Sequence, residues 1–320
     1  MKRLCLAVIA IWIATQAGMG TAGVMVTVGD PGNAADVSGF GAVNYTFNIS
    51  ATEVTNSEYA AFLNAVAATD PNFLYETGMA GATGGITRTG GPGSYSYSVA
   101  PGRGDHPVAY VSFYNSLRYA NWLNNGSPVG SQGISTTEDG AYTITAAGIA
   151  ANSIVRNLDA QFFLPSEDEW YKAAFYDPST SSYFRYATSS NIDPTAEFPV
   201  GGSNSGNFNY VVKDTTPVGA YSAALSPYGT FDQLGNVFEW NESIIGANRG
   251  IRGGSWYLDG PGFLASSGRG VSSPFSTVGI YGFRIASLPS SGTVPEPGAM
   301  AVWSMLALSG CGIRRRRIRN

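Results

Sequence analysis

Three stretches of the chain repeat apolar residues at helical spacing, and each opens on a capping signal. In Thr55 to Ala67, Tyr59, Phe62, Leu63 and Val66 fall on one face, and Thr55 with Glu58 three residues later forms a capping box. Phe113 to Asn124 follows Ser112 and carries Leu117, Ala120 and Leu123 at the same spacing. The third follows Pro165, with Ser166 and Glu169 as a second capping box and Trp170, Ala173 and Ala174 as its apolar side. Alternating polar and apolar positions are short by comparison. Tyr45 to Ile49 and Ala141 to Thr145 read as strands. Gly78 to Gly104 holds nine glycines around Ile86-Thr87-Arg88 and Tyr95-Ser96-Tyr97-Ser98-Val99, which read as the arms of a hairpin or, failing that, as a linker. From Gly201 onward Gly, Ser, Asn and aromatics dominate and long regular elements are not visible. With no fixed-period repeat, one domain over residues 24–288 is the simplest partition, followed by a connection at 289–293.

Both ends of the 320-residue chain break this pattern. Met1-Lys2-Arg3, the apolar run Leu4 to Ala14 and the small-residue stretch ending Gly20-Thr21-Ala22 have the layout of a secretory signal peptide over residues 1–22. At the other end, residues 294–320 read Val294-Pro295-Glu296-Pro297-Gly298, an apolar segment Ala299 to Ile313, then Arg314 to Arg317 and Arg319. This order resembles the PEP-CTERM sorting signal of Gram-negative bacteria, which implies recognition, and removal, of the tail by a membrane exosortase. A plain membrane anchor is the alternative, with the arginines held inside and the body outside. Either way the expected localisation is export across the inner membrane to the cell surface or extracellular matrix.

Setting these ends aside changes the charge. They carry 7 of the 18 Lys and Arg but only Glu296 of the 22 acidic residues, so the body keeps 11 against 21 and lies near −10 rather than −4. Such a surface repels nucleic acid, and no nucleic-acid partner is expected. Cys5 and Cys311 both lie in the end segments, which leaves the body without disulfide, thiol nucleophile or thiolate ligand. His106 is the single histidine, too few for an imidazole-based zinc or iron site.

Five motifs then fall in order. They are Val54-Thr55-Asn56-Ser57-Glu58-Tyr59 with Phe62-Leu63; Pro107-Val108-Ala109-Tyr110-Val111-Ser112 leading to Tyr119-Ala120-Asn121-Trp122-Leu123; Leu164-Pro165-Ser166-Glu167-Asp168-Glu169-Trp170-Tyr171-Lys172-Ala173-Ala174; Gly235-Asn236-Val237-Phe238-Glu239-Trp240; and Arg252-Gly253-Gly254-Ser255-Trp256, closed by Gly282-Phe283-Arg284. Together they resemble the formylglycine-generating enzyme family, or sulfatase-modifying factor domain, over about Ala42 to Ser287. The resemblance implies an irregular α+β fold related to C-type lectins, with few helices and short strands. Trp122, Trp170, Trp240 and Trp256 are expected in its core, and Arg252 and Arg284 paired with buried carboxylates or carbonyls.

Active members of that family oxidise a cysteine of a client sulfatase, using a copper-binding cysteine pair just after the Gly-Gly-Ser-aromatic motif. Here those positions fall on Leu258 and Phe263, which offer Cu(I) no sulfur, so no copper is expected. A related branch uses an iron site of several histidines, which one histidine cannot supply. The resemblance also implies structural calcium: one site from the side chains of Asp232 and Glu239 with the carbonyls of Gly235 and Val237, and a second at Asn207 and Phe208. Ser166 reads as a cap, and Glu167, Asp168 and Glu169 as acids favoured by a helix N-terminus. His106 reads as structural. The expected function is an exported, non-catalytic binding module for a polysaccharide or a surface protein. An enzyme of divergent chemistry and a purely structural matrix component are the alternatives.

Overall fold

The computed structural model describes residues 23–258 and 260–289. The signal-peptide and sorting-tail segments expected from the sequence lie outside them. The compact unit to which the described body belongs ends at Leu288.

The helices form where the caps place them. Helix α1 is Asn56–Val66, with the Thr55 hydroxyl accepting from the Glu58 N–H at 3.2 Å and the Glu58 carboxylate accepting from the Thr55 N–H at 2.7 Å. Helix α2 is Phe113–Asn124, capped by Ser112. A five-residue helix α3, Ala146–Ala150, is capped by Thr145. Helix α4 is Glu167–Phe175, capped by Ser166 with Glu169 completing the box. Ala141 to Thr145 is therefore not a strand: Tyr142 makes one isolated bridge to Arg156, and Thr145 spends its hydroxyl on the N–H of Gly148.

Strand β1, Met25–Val28, pairs antiparallel with β2, Phe47–Ser50, in the register Met25 opposite Ser50. β3, Ile86–Thr89, and β4, Ser96–Val99, form the expected hairpin, with Ile86 opposite Val99. Then come β5, Phe162–Phe163, and four two-residue strands paired as β6, Tyr176–Asp177, with β7, Ser182–Tyr183, and β8, Thr195–Ala196, with β9, Ser205–Gly206. The glycine-rich second half holds the longest strand, β10, Phe238–Ile245, with β11, Asn248–Arg252, β12, Gly270–Ser272, β13, Tyr281–Gly282, and β14, Ala286–Ser287. One four-stranded sheet runs β1-β2-β14-β5 and the other β12-β11-β10-β13. β10 escapes a reading by alternation because Phe238, Glu239, Trp240 and Asn241 are all buried and a bulge lies between Trp240 and Ile244.

Aromatic residues join the helices to the sheets. Tyr59 and Phe62 of α1 meet Tyr119 of α2 at ring-centroid distances of 5.9 and 5.3 Å, and Phe283 closes on Tyr119 at 5.3 Å. A second cluster gathers Trp170, Tyr171 and Phe175 of α4 with Tyr186, Phe208, Leu234 and Leu264. Trp122, Trp170, Trp240 and Trp256 are all buried, as the motifs imply. Among the described residues no helix is long and apolar enough to cross a membrane.

Candidate binding surface and cation positions

The Gly-Asn-Val-Phe-Glu-Trp motif enters β10 through a turn of left-handed residues: Asp232, Gly235 and Asn236 have φ of 62°, 96° and 57°. Gly235 is required there twice over, since a Cβ would also stand 2.4 Å from the Asn207 carbonyl oxygen. That close approach is the bridge between Asn207 and Gly235, in which the Asn236 N–H donates to the Asn207 carbonyl at 2.9 Å. The two cation positions expected from the sequence are thus neighbours.

Not all of their oxygens are free. Glu239, fully buried, accepts from Arg284 Nε at 2.6 Å and Nη2 at 2.7 Å, and from the Trp170 indole at 2.7 Å. Both of its oxygens are therefore committed, and the positive charge beside it is already supplied by a guanidinium, so Glu239 does not fit a calcium ligand in this arrangement. Asp232 accepts from the Gly219 N–H at 2.6 Å, and burial pushes its carboxyl up to about 6. The Phe208 carbonyl accepts from the Val211 N–H at 3.2 Å. Asn207 differs: its Nδ2 donates to the Asp214 carbonyl at 2.8 Å, while its buried Oδ1 has no partner among the described residues. An orphaned amide oxygen suits a hard cation. Among the described residues no group of three His, Cys, Asp or Glu is arranged to hold a metal.

Two residues central to this region were not singled out from the sequence. Asn236 donates to Glu53 Oε1 at 3.1 Å, accepts from the Thr216 N–H at 2.9 Å, and offers its carbonyl to the Trp256 N–H at 2.8 Å. Glu53 lies buried with Oε2 unpartnered, and burial, then the nearby Asp232 and Glu239, hold its carboxyl well above the usual range. The only local hint is an acid placed between Ala51 and Val54, both buried, just ahead of the α1 cap.

Through Trp256 this hub reaches the surface. The Tyr210 N–H donates to the Trp256 carbonyl at 2.8 Å and the Asn209 N–H to the Leu258 carbonyl at 2.7 Å, with both residues at φ 55°. The Tyr210 ring stacks on Trp256 at 5.6 Å and 28°, and Tyr257 meets both rings edge-on at 5.6 Å. Tyr257 is 58 % and Tyr210 44 % exposed. The positions implied for catalytic cysteines flank these rings in sequence. Leu258 packs on the main core, and Phe263, 45 % exposed, meets Phe238 edge-on at 5.8 Å. The stretch is an aromatic surface on a pinned backbone, with no sulfur.

Elsewhere the acids of α4 are more than helix-end charges. Glu167 binds Arg252 at 2.7 Å and Arg269 at 2.6 Å; Glu169 binds Arg156 at 2.6 Å and takes the Tyr45 hydroxyl at 2.6 Å; Asp168 takes the Gly41 N–H at 2.8 Å. Burial opposes ionisation of Glu167 and Glu169, but their arginines win and hold both carboxyls below the ordinary value. His106 is half-buried with Nδ1 2.9 Å from the Thr215 hydroxyl, and burial lowers its pKa, so it stays neutral at pH 7.

Comparison with known proteins agrees with this architecture. Residues 27–288 match the family model described as a sulfatase-modifying factor enzyme 1-like domain. The chain is 27 % identical over 272 residues to a hercynine oxygenase of Mycobacterium tuberculosis, covering 75 % of this chain and 52 % of that protein. It is 25 % identical over 208 residues to a serine/threonine-protein kinase of Chlamydia caviae, covering 59 % of this chain and 25 % of that one. The chain thus spans about half the length of the hercynine oxygenase it matches. Among solved structures, CarF superposes with a TM-score of 0.52 at 21 % identity, covering 83 % of this chain and 98 % of CarF. Treponema denticola variable protein 1 gives 0.51 at 19 %, covering 83 % and 95 %. With motifs, sheets and caps in agreement over 27–288, the chain belongs to the sulfatase-modifying factor enzyme 1-like family.

Proposed function

We propose that this protein is a binding module of its family rather than an oxidase, and that its ligand is an extracellular polysaccharide or a surface protein met by the Tyr210, Trp256 and Tyr257 face. The observation that carries this is the exchange of chemistry at one place: apolar Leu258 and Phe263 stand where the family resemblance puts copper-binding cysteines, beside two exposed tyrosines on a backbone locked to Asn236. Rings held rigidly at a surface suit stacking on sugar faces at small entropic cost. Export, with the tail read by an exosortase, belongs to the same proposal and rests on the end segments of the sequence. So does a structural calcium ion, for which Asn207 Oδ1 is the available side-chain ligand. The test is a glycan array probed with the full chain. Binding that falls in Tyr257→Ala and Tyr210→Ala supports the glycan reading, and a flat response with and without calcium sinks it.

The match to a hercynine oxygenase favours a second reading, an enzyme of altered chemistry. Against it stands the single, Thr215-bound histidine, where an iron site of several imidazoles is what the resemblance implies for that branch. Incubating the protein with hercynine or with a cysteine-bearing sulfatase peptide, under oxygen with iron or copper and reductant, settles this by mass spectrometry. Any oxidised product would favour the enzyme.

A further inference from the structure

A second site lies away from the motifs. A cavity of about 650 Å³ is lined by Asp70, Phe73, Tyr75, Arg88, Tyr95 and Thr277, among others. That is the size of a small-ligand pocket. Among its lining residues is Arg88 of β3. The guanidinium carbon stands 4.7 Å from the Tyr75 ring centroid and 4.3 Å from that of Tyr95, so two aromatic rings fix its plane. Arg88 forms an ion pair with Asp70 at 3.6 Å, longer than a hydrogen bond. Asp70 spends its own oxygens on the N–H groups of Leu74 and Tyr75 and on Gln132. Among the described residues this guanidinium makes no hydrogen bond to a carbonyl or carboxylate, and the Tyr97 hydroxyl lies against it. The contrast with Arg284 is direct: there Glu239, Ser50, Ala51 and Phe231 absorb the N–H donors.

The rim supplies a stacking platform. Phe73 is 78 % exposed and sits at φ 54°, its backbone fixed by donation to the Asp70 carbonyl and by acceptance at 2.7 Å from Asn115. A bulky residue held left-handed with its ring in solvent gains nothing for the fold. The lining also includes hydroxyls at Thr69, Thr77 and Thr277 and the Glu76 carboxylate, groups that suit sugar hydroxyls.

We infer that this cavity binds a carboxylate-bearing sugar, a uronic acid residue of an acidic glycan, with the Arg88 fork on the carboxylate and the Phe73 ring on the sugar face. A planar fork with N–H groups left over beside the Asp70 ion pair and the Tyr97 hydroxyl selects a planar carboxylate. The overall negative charge of the body works against long polyanions at a distance, which makes binding depend on this one directed contact. The inference uses residues distinct from the Tyr210 and Tyr257 face and does not need it.

The test is calorimetric titration of the full chain with an oligogalacturonate, with maltohexaose as a neutral sugar and oligoglutamate as a non-sugar carboxylate. The expected result is oligogalacturonate binding that weakens roughly tenfold or more in Arg88→Ala and several-fold in Phe73→Ala, with Leu158→Ala, an exposed position outside both surfaces, unchanged. Because Arg88 touches buried Asp70, the exposed Phe73→Ala variant and the melting temperature of each protein guard against misfolding. Absence of oligogalacturonate binding, equal binding of oligoglutamate, or affinity indifferent to both substitutions overturns the inference. Oligogalacturonate binding that falls in Tyr257→Ala but not in Arg88→Ala or Phe73→Ala overturns it too, while leaving the proposed function standing.

Discussion

Glu239 shows how a residue's neighbours decide its chemistry. Read in its motif, it is an acidic oxygen ligand; in the fold, Arg284, from the last of the five motifs, takes both its oxygens. The sequence named both residues and each role separately, but a separation of 45 residues hid that they are partners. Asn236 and Glu53 stayed hidden for the same reason, since their hydrogen bond spans 183 residues. Replacing Glu239 by Gln leaves a buried guanidinium without its counter-charge and should cost about 3–5 kcal/mol, read as a shift in the denaturant midpoint. Tyr257→Ala, on the surface, should move that midpoint by less than about 0.5 kcal/mol. A cost near zero at Glu239 would mean the pair does not hold the core together. The orphaned Asn207 oxygen gives the calcium proposal its own check: metal analysis of the purified chain should find calcium near one per chain, and less in Asn207→Ala. No calcium in the native chain removes the proposal.

At the scale of elements, N-terminal caps made α1, α2 and α4 legible, because a cap is a local contact between residues three apart. Local reading failed elsewhere: Thr145 looks like a strand end and caps a five-residue helix, and β10, set by long-range pairing, buries polar and apolar residues on both faces. Glu167 is the sharpest case. Taken as a helix-end charge, its loss would cost about 0.3–1 kcal/mol. As the shared partner of buried Arg252 and of Arg269, Glu167→Gln should cost roughly 3 kcal/mol at pH 7. The pH dependence follows from the lowered pKa: a carboxyl held below its unfolded value, near 4.5, stabilises the fold above that pH and loses the contribution as pH falls through the folded value. The gap between native chain and Glu167→Gln should therefore begin to narrow below about pH 4.5. Urea melts at pH 7 and pH 4 measure this, and a gap independent of pH would refute the ion-pair account.

For the whole molecule, fold and chemistry separate. Composition and motif order were sufficient to anticipate an irregular α+β domain, and the two sheets and short strands bear that out. The candidate surface was only half legible. The absence of sulfur at Leu258 and Phe263 is written in the sequence, but the assembly of Tyr210, Trp256 and Tyr257 into one face depends on left-handed residues at 209 and 210 that no periodicity announces. The Arg88 cavity was not legible at all, since stacking between Tyr75 and Tyr95 appears only once the β3–β4 hairpin closes against the loop at 70–75. The measurement that tests the central claim most directly is the glycan array with the full chain beside its Tyr257→Ala variant. The account predicts a selective set of glycans bound by the native chain and lost or weakened about tenfold in the variant, the scale of one buried aromatic contact. A silent array, or one unchanged by the substitution, would contradict it.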